Sequence, residues 1–193
     1  MIKPTLEEIS SALTRLGHKV FVNGELNLNL VGIRKDYAAS NRFDDTFCVF
    51  AKEGGDWFIK HWPCTTDPGW YYLDNPAVKG TAILKEGQYL GAYEIGLHKG
   101  MSQALTQKKP VTVWRDTNKD RQLDKMTTDT GLFGINIHRA NINQTSVNVD
   151  KWSAGCTVFA NPYDFAELLE LARRSEAIWG NSFTYTLIKE ADL

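Results

Sequence analysis

The chain is sparing with its reactive residues: 193 residues hold three cysteines, four histidines and six prolines. Cys48, Cys64 and Cys156 are too few, and too widely spaced, for a disulfide scaffold or a Cys-x-x-Cys metal site. Two idle buried thiols and one reactive thiol is the preferred reading, and a Cys48–Cys64 disulfide is the less favoured alternative. No apolar run approaches the ~20 residues that a membrane-spanning helix needs, so membrane insertion is not expected. The opening residues, Met1-Ile2-Lys3-Pro4-Thr5-Leu6-Glu7-Glu8, lack the basic and then apolar order of a secretory leader. Synthesis in the cytoplasm without a signal peptide is therefore expected. Charge of one sign is missing too. With 22 basic and 23 acidic residues the net charge is −1, and nothing recommends a nucleic acid or an anionic membrane as partner. There is no internal repeat or low-complexity segment, and a monomer is expected.

What is present divides into a helical start, a long β region and an α/β end. Thr5 and Glu8 have capping-box spacing, Leu6, Ile9, Leu13 and Leu16 share a helical face, and Gly17 supplies a stop. Residues 1–18 are read as a small helical appendage, with the main domain over 19–193. From Lys19 to His138, short apolar runs alternate with Gly, Pro, Asn and Asp. Phe47–Phe50, Trp57–Ile59 and Val111–Trp114 are the clearest strands. Asn161 and Pro162 predict a helix start, followed by a buried stripe of Phe165, Leu168, Leu169 and Ala172, with Arg173 and Arg174 near its end. Phe183–Ile188 reads as a closing strand. The fold class is thus mainly β, with one N-terminal and one C-terminal helix.

The chemistry concentrates in Gly134-Ile135-Asn136-Ile137-His138 and, after a loop, Ser153-Ala154-Gly155-Cys156-Thr157. In the first run Ile135 and Ile137 share one face and Asn136 and His138 the other, so the isoleucines can anchor a strand while His138 faces a cleft. A thiol is a nucleophile only as thiolate, and a nearby imidazole is the usual means of making one near neutral pH. Glycine beside it lets backbone N–H groups approach a developing oxyanion. The histidine precedes the cysteine, the reverse of the papain-like order.

These residues resemble the signature of the YkuD-type L,D-transpeptidase family, in which a His, a long spacer and Ser/Thr-His-Gly-Cys form the active site. His138, Ser153, Gly155 and Cys156 fall on motif positions. Ala154 stands where the family has a second histidine, and Val158 where it has Asn or Arg. The resemblance covers roughly the last two-thirds of the chain. It implies a β-sandwich of the L,D-transpeptidase catalytic type with no cofactor, acting on peptidoglycan stem peptides. It casts Cys156 as nucleophile, His138 as base, the Arg139 carbonyl as the group that orients the imidazole, and Ser153 in support. The Arg139 side chain is a candidate for a stem carboxylate, against a plain solvent-facing charge. Because the acceptor-side positions depart from the motif, hydrolysis is expected rather than cross-linking. A phage lysin or an injected effector, reaching the wall by release or delivery, suits that reading. A cross-linking transpeptidase and a non-catalytic wall-binding or virion module are the rivals.

Asn136, His98 and Trp152 are the candidates for substrate binding. His98, between glycines in Gly96-Leu97-His98-Lys99-Gly100, is placed to replace the function lost at Ala154. Its alternative is an exposed loop histidine, and for Trp152 it is a core aromatic. His18 and His61 have no comparable context. The segment Trp62–Gly69 resembles the family's substrate-side loop and is expected to border the cleft, followed by Gly80–Leu84. Asp116, Asn118, Asp120 and Asp124 alternate as in a calcium loop, but Arg121 occupies the glycine position and Thr127 that of the closing Glu. A polar hairpin tip is the preferred reading there, with calcium the weaker one.

Overall fold

The computed structural model describes residues 1–35 and 40–193. It is mainly β, and α1 (Leu6–Arg15) starts where the capping residues place it. Thr5 Oγ1 accepts the Glu8 N–H, while the Glu8 carboxylate accepts the Thr5 N–H. Its buried face, Ile9, Ala12 and Leu13, packs on Val31, Ile33, Cys48, Phe50 and Ile188. The helix is thus seated on strands β1 (Asn29–Arg34), β2 (Asp45–Glu53) and β11 (Phe183–Lys189).

The remaining strands are β3 (Asp56–Thr65), β4 (Thr81–Leu84), β5 (Gly87–His98), β6 (Ser102–Gln107), β7 (Val111–Asp116), β8 (Thr127–Gly131), β9 (Ile137–Arg139) and β10 (Thr157–Phe159). Eight of these eleven strands close into a barrel in the order β1-β11-β5-β6-β9-β10-β3-β2. A second sheet, β4-β7-β8, stands beside it. The sandwich expected from the sequence is therefore replaced by a closed barrel. Closure comes from β1, which pairs in parallel with β11 and antiparallel with β2, so the main sheet has no free edge. Local patterning cannot reveal that step, because β1 and β11 lie at opposite ends of the chain.

Alternation along β2 separates two layers of core. Phe47, Val49 and Ala51 join the large cluster with Trp62, Tyr93, Phe159 and Tyr185, whereas Cys48 and Phe50 face α1. Helix α3 (Pro162–Trp179) adds Phe165, Leu168, Leu169 and Ala172 to the large cluster, with Asn161 capping the Tyr163 N–H at 2.9 Å. A five-residue helix, α2 (Trp70–Asp74), and a terminal 3-10 turn (Glu190–Asp192) are the elements that sequence patterning did not anticipate.

A charged centre lies within this framework. Arg34, 1% exposed, donates to the Thr66 hydroxyl and carbonyl, the Leu84 carbonyl and Glu86 Oε1. Its Nε also stands 2.8 Å from Asp67 Oδ1, an ionic contact, since the Nε–H itself is aimed at Thr66 Oγ1. Asp45 takes the N–H of Lys35 and both the N–H and hydroxyl of Thr66. Burial pushes the Asp67 carboxyl up to about 7 against the pull of Arg34. Burial acts the same way on Glu86, but Arg34 and Lys125 outweigh it and leave Glu86 at about 2.

Candidate active site

Strands β9 and β10 pair in parallel, with Thr157 opposite Ile137 and Val158 opposite His138. Side chains alternate along each strand, so Ile137 enters the core while Asn136, His138, Cys156 and Val158 share the other face. The loop before Cys156 is fixed from within. Ser153 Oγ donates to the Cys156 carbonyl at 2.8 Å and accepts the Gly155 N–H at 3.2 Å. Gly155 has φ +115°, and a Cβ there would collide with the Ala82 carbonyl oxygen on β4. The Ser153 carbonyl in turn accepts the Gly69 N–H at 2.9 Å, which ties the loop to the start of α2.

Cys156 and His138 open into one cleft of about 170 Å³, together with His98, Tyr72, Phe133 and Trp152. His138 Nδ1 lies 2.8 Å from the Arg139 carbonyl oxygen. A carbonyl only accepts, so Nδ1 carries the proton and Nε2 is the basic nitrogen. That Nε2 is buried and has no hydrogen-bond partner among the described residues. The Cys156 sulfur takes the Asn136 N–H and donates toward the Gly134 carbonyl, each at 3.4 Å. Sulfur and imidazole thus share a cleft without a hydrogen bond between them.

Burial governs the charge state of both groups. It pushes the thiol up to about 11, opposed by the Asn136 N–H and by Lys99. It lowers the imidazole to about 4, helped by His98. The resting pair is a neutral thiol beside a neutral imidazole. Cys48 and Cys64 are also free thiols. They are raised by burial as well, and neither has the N–H donor or the cleft that Cys156 has.

His98 ends β5 and lines the cleft, instead of standing in an exposed loop. Its ring stacks on His138 with centroids 4.2 Å apart and planes 20° from parallel. Asn136 fixes it: the amide Oδ1 accepts the Gln107 N–H at 2.9 Å, leaving Nδ2 to donate to His98 Nδ1 at 2.8 Å. The remaining proton of neutral His98 is therefore on Nε2. Asn136 acts on the His98 ring and the Cys156 sulfur rather than lining the cleft, and the Arg139 side chain does not line it either. Trp152, 41% exposed, forms part of the wall together with Ala154.

Other sequence candidates lie elsewhere. Trp62 to Thr65 end β3, with Trp62 and Cys64 in the core; Cys64 and Thr65 pair with β10 just after Cys156, and the Gly69 N–H bonds the nucleophile loop, but none of residues 62–69 lines the cleft. In the 116–124 segment, Asn118 Nδ2 donates to Asp120 and Asp124, and the Asp116 carboxylate accepts the Asp124 N–H. Among the described residues, no group of three or more His, Cys, Asp or Glu side chains is placed to hold a metal.

Five contributors went unnoticed in the sequence: Tyr72, Lys99, Phe133 and Lys151 line the cleft, and Gln107 braces it. Gln107 Oε1 accepts the Phe133 and Ile135 N–H groups, which positions the Gly134 carbonyl at the sulfur. Lys99 and Lys151 had a faint signal, each being adjacent to a flagged residue. No helix among the described residues is long and apolar enough to cross a membrane. Comparison with protein-family models, curated proteins and solved structures finds no match to this chain.

Proposed function

We propose that this protein is a cysteine-dependent hydrolase of peptidoglycan stem peptides, built on a domain of the L,D-transpeptidase catalytic type. One observation carries the reading: Cys156 shares a cleft with an imidazole whose Nδ1 is held by the Arg139 carbonyl and whose Nε2 has no partner among the described residues. That is the arrangement a general base for a thiol requires.

His138 Nε2 takes the Cys156 proton as the sulfur attacks the carbonyl of a stem-peptide bond. Because burial disfavours both charged forms, proton transfer accompanies attack and does not precede it. The Gly155 N–H is engaged by Ser153, whereas the Cys156 N–H has no hydrogen-bond partner among the described residues and is the candidate oxyanion donor. The imidazolium then protonates the leaving amine, the C–N bond breaks and a thioester forms. Water, deprotonated by the same Nε2, attacks the thioester, releasing the shortened stem as a carboxylic acid and restoring the thiol.

The protein would meet its substrate in the cell wall after release or delivery. The test is mass spectrometry of muropeptides from purified sacculi. Shortened or freed stems are expected from the parent and not from Cys156→Ala. New cross-linked dimers would instead identify a transpeptidase. Sacculi left unaltered, or altered equally by Cys156→Ala, would overturn the enzymatic reading.

A further inference from the structure

The cleft beside Cys156 is electrostatically one-sided. Lys99 and Lys151 line it, and among the described residues no aspartate or glutamate does, in a chain whose net charge is −1. Neither ammonium is in a salt bridge among the described residues. Lys151 rests over the Tyr71 ring, 4.4 Å from its centroid, and Lys99 exerts a positive potential on His98, His138 and Cys156. Lys99 also holds φ +51° in the tight β5–β6 turn, where glycine or asparagine is the easier residue. To these cations His98 adds a donor, because Asn136 occupies its Nδ1 and leaves Nε2–H without a partner among the described residues.

From these observations we infer that Lys99, Lys151 and His98 Nε2–H form a receptor for a free carboxylate on the acyl donor. The stem-peptide part of this inference rests on the function proposed above: the favoured substrate ends in a free C-terminal carboxylate near the scissile bond. The protein would then trim chain ends in preference to opening internal cross-links.

A pair of alkylating agents tests the receptor directly. Iodoacetate and iodoacetamide each form an S–C bond with the Cys156 thiolate and expel iodide, and they differ in the charge of the arriving group. The ratio of their rates cancels the thiolate fraction. Followed at Cys156 in the intact protein, the iodoacetate/iodoacetamide ratio should exceed that of glutathione about tenfold. Lys99→Asn, which suits the turn's backbone, should remove most of that excess, and Lys99→Arg should keep it. A ratio equal to that of glutathione, or one indifferent to both Lys99→Asn and Lys151→Gln, would overturn the receptor.

The second arm uses a stem tetrapeptide with its C-terminus free or amidated. The free acid should show a KM about tenfold lower, and Lys99→Asn should erase the difference. Equal KM values would overturn the receptor and leave Cys156 chemistry standing. Turnover of neither peptide, with the iodoacetate preference intact, would uphold the receptor and overturn the stem-peptide assignment.

Discussion

Arg34 and His138 are almost equally buried, 1% and 5% exposed, yet burial has opposite chemical consequences for them. Around Arg34, Asp45, Asp67 and Glu86 supply counter-charge, and neutral acceptors take the remaining guanidinium protons. The cation stays ionised and its surroundings are locked. Around His138 the neighbours are another imidazole, a thiol and the positive field of Lys99. With no counter-charge among the described residues, dehydration strips the charge and leaves a neutral imidazole and a neutral thiol at one cleft. Compensated burial produces a brace. Uncompensated burial at a cleft leaves the neutral pair that the proposed chemistry uses.

The largest effect should come from emptying the uncompensated site. Cys156→Ala or His138→Ala should lower kcat/KM for muropeptide cleavage by at least roughly 10³-fold, or about 4 kcal/mol of transition-state stabilisation. The muropeptide assay should be read beside a melting curve, which should move little for Cys156→Ala. Next, breaking the brace should unfold the protein without touching the chemistry directly. Arg34→Met strands buried carboxylates and should cost roughly 3–5 kcal/mol in denaturant titration. A smaller loss than that of a surface lysine would show that the cluster holds nothing together.

A third experiment sharpens the contrast between thiols. Cys156 should alkylate while Cys48 and Cys64 remain silent in the folded protein, and its rate should climb with pH toward about 11. Conversely, kcat/KM should hold on the acid side until His138 protonates near pH 4, well below an ordinary imidazole. An acid limb near pH 6.5 would mean that the base is solvated during turnover.

The smallest effect concerns Asp67. Its folded value of about 7 lies above the ordinary 3.8, so the folded state binds the extra proton over that range. Its contribution is therefore full below about pH 3.8 and is lost as pH rises through about 7. Asp67→Asn should flatten the fall in melting temperature between pH 4 and 8. An unchanged slope would remove Asp67 from the linkage.

Legibility followed the range of the interaction that fixes each feature. The Thr5–Glu8 capping box, the Asn161-Pro162 start of α3 and the alternation of Ile135 to His138 are local, and the structure follows them closely. Ser153 and Gly155 were picked out beside the nucleophile, and their part in shaping its loop follows from neighbours three residues away. By contrast, Tyr72 belongs to a five-residue helix too short to leave a periodic signal. Gln107 acts through its amide on backbone groups about 25 residues away, and nothing around it distinguishes it from an ordinary strand residue. The expected substrate-side role for Trp62–Gly69 failed because its first half is pulled into β3 by pairing with β2 and β10.

By itself, the sequence determined that the chain is mainly β, where its two long helices begin, and that Asn136 and His138 share a strand face opposite Ile135 and Ile137, since these depend on side-chain alternation and nearest neighbours. Only the tertiary structure decided that the main sheet closes into a barrel, that pairing of β9 with β10 brings Cys156 beside His138, that His98 stacks on His138, and that among the described residues two lysines and no acid line the cleft at the sulfur. Those features arise where segments distant along the chain meet, and the free energy of such meetings depends on packing and dehydration that no local window of residues contains.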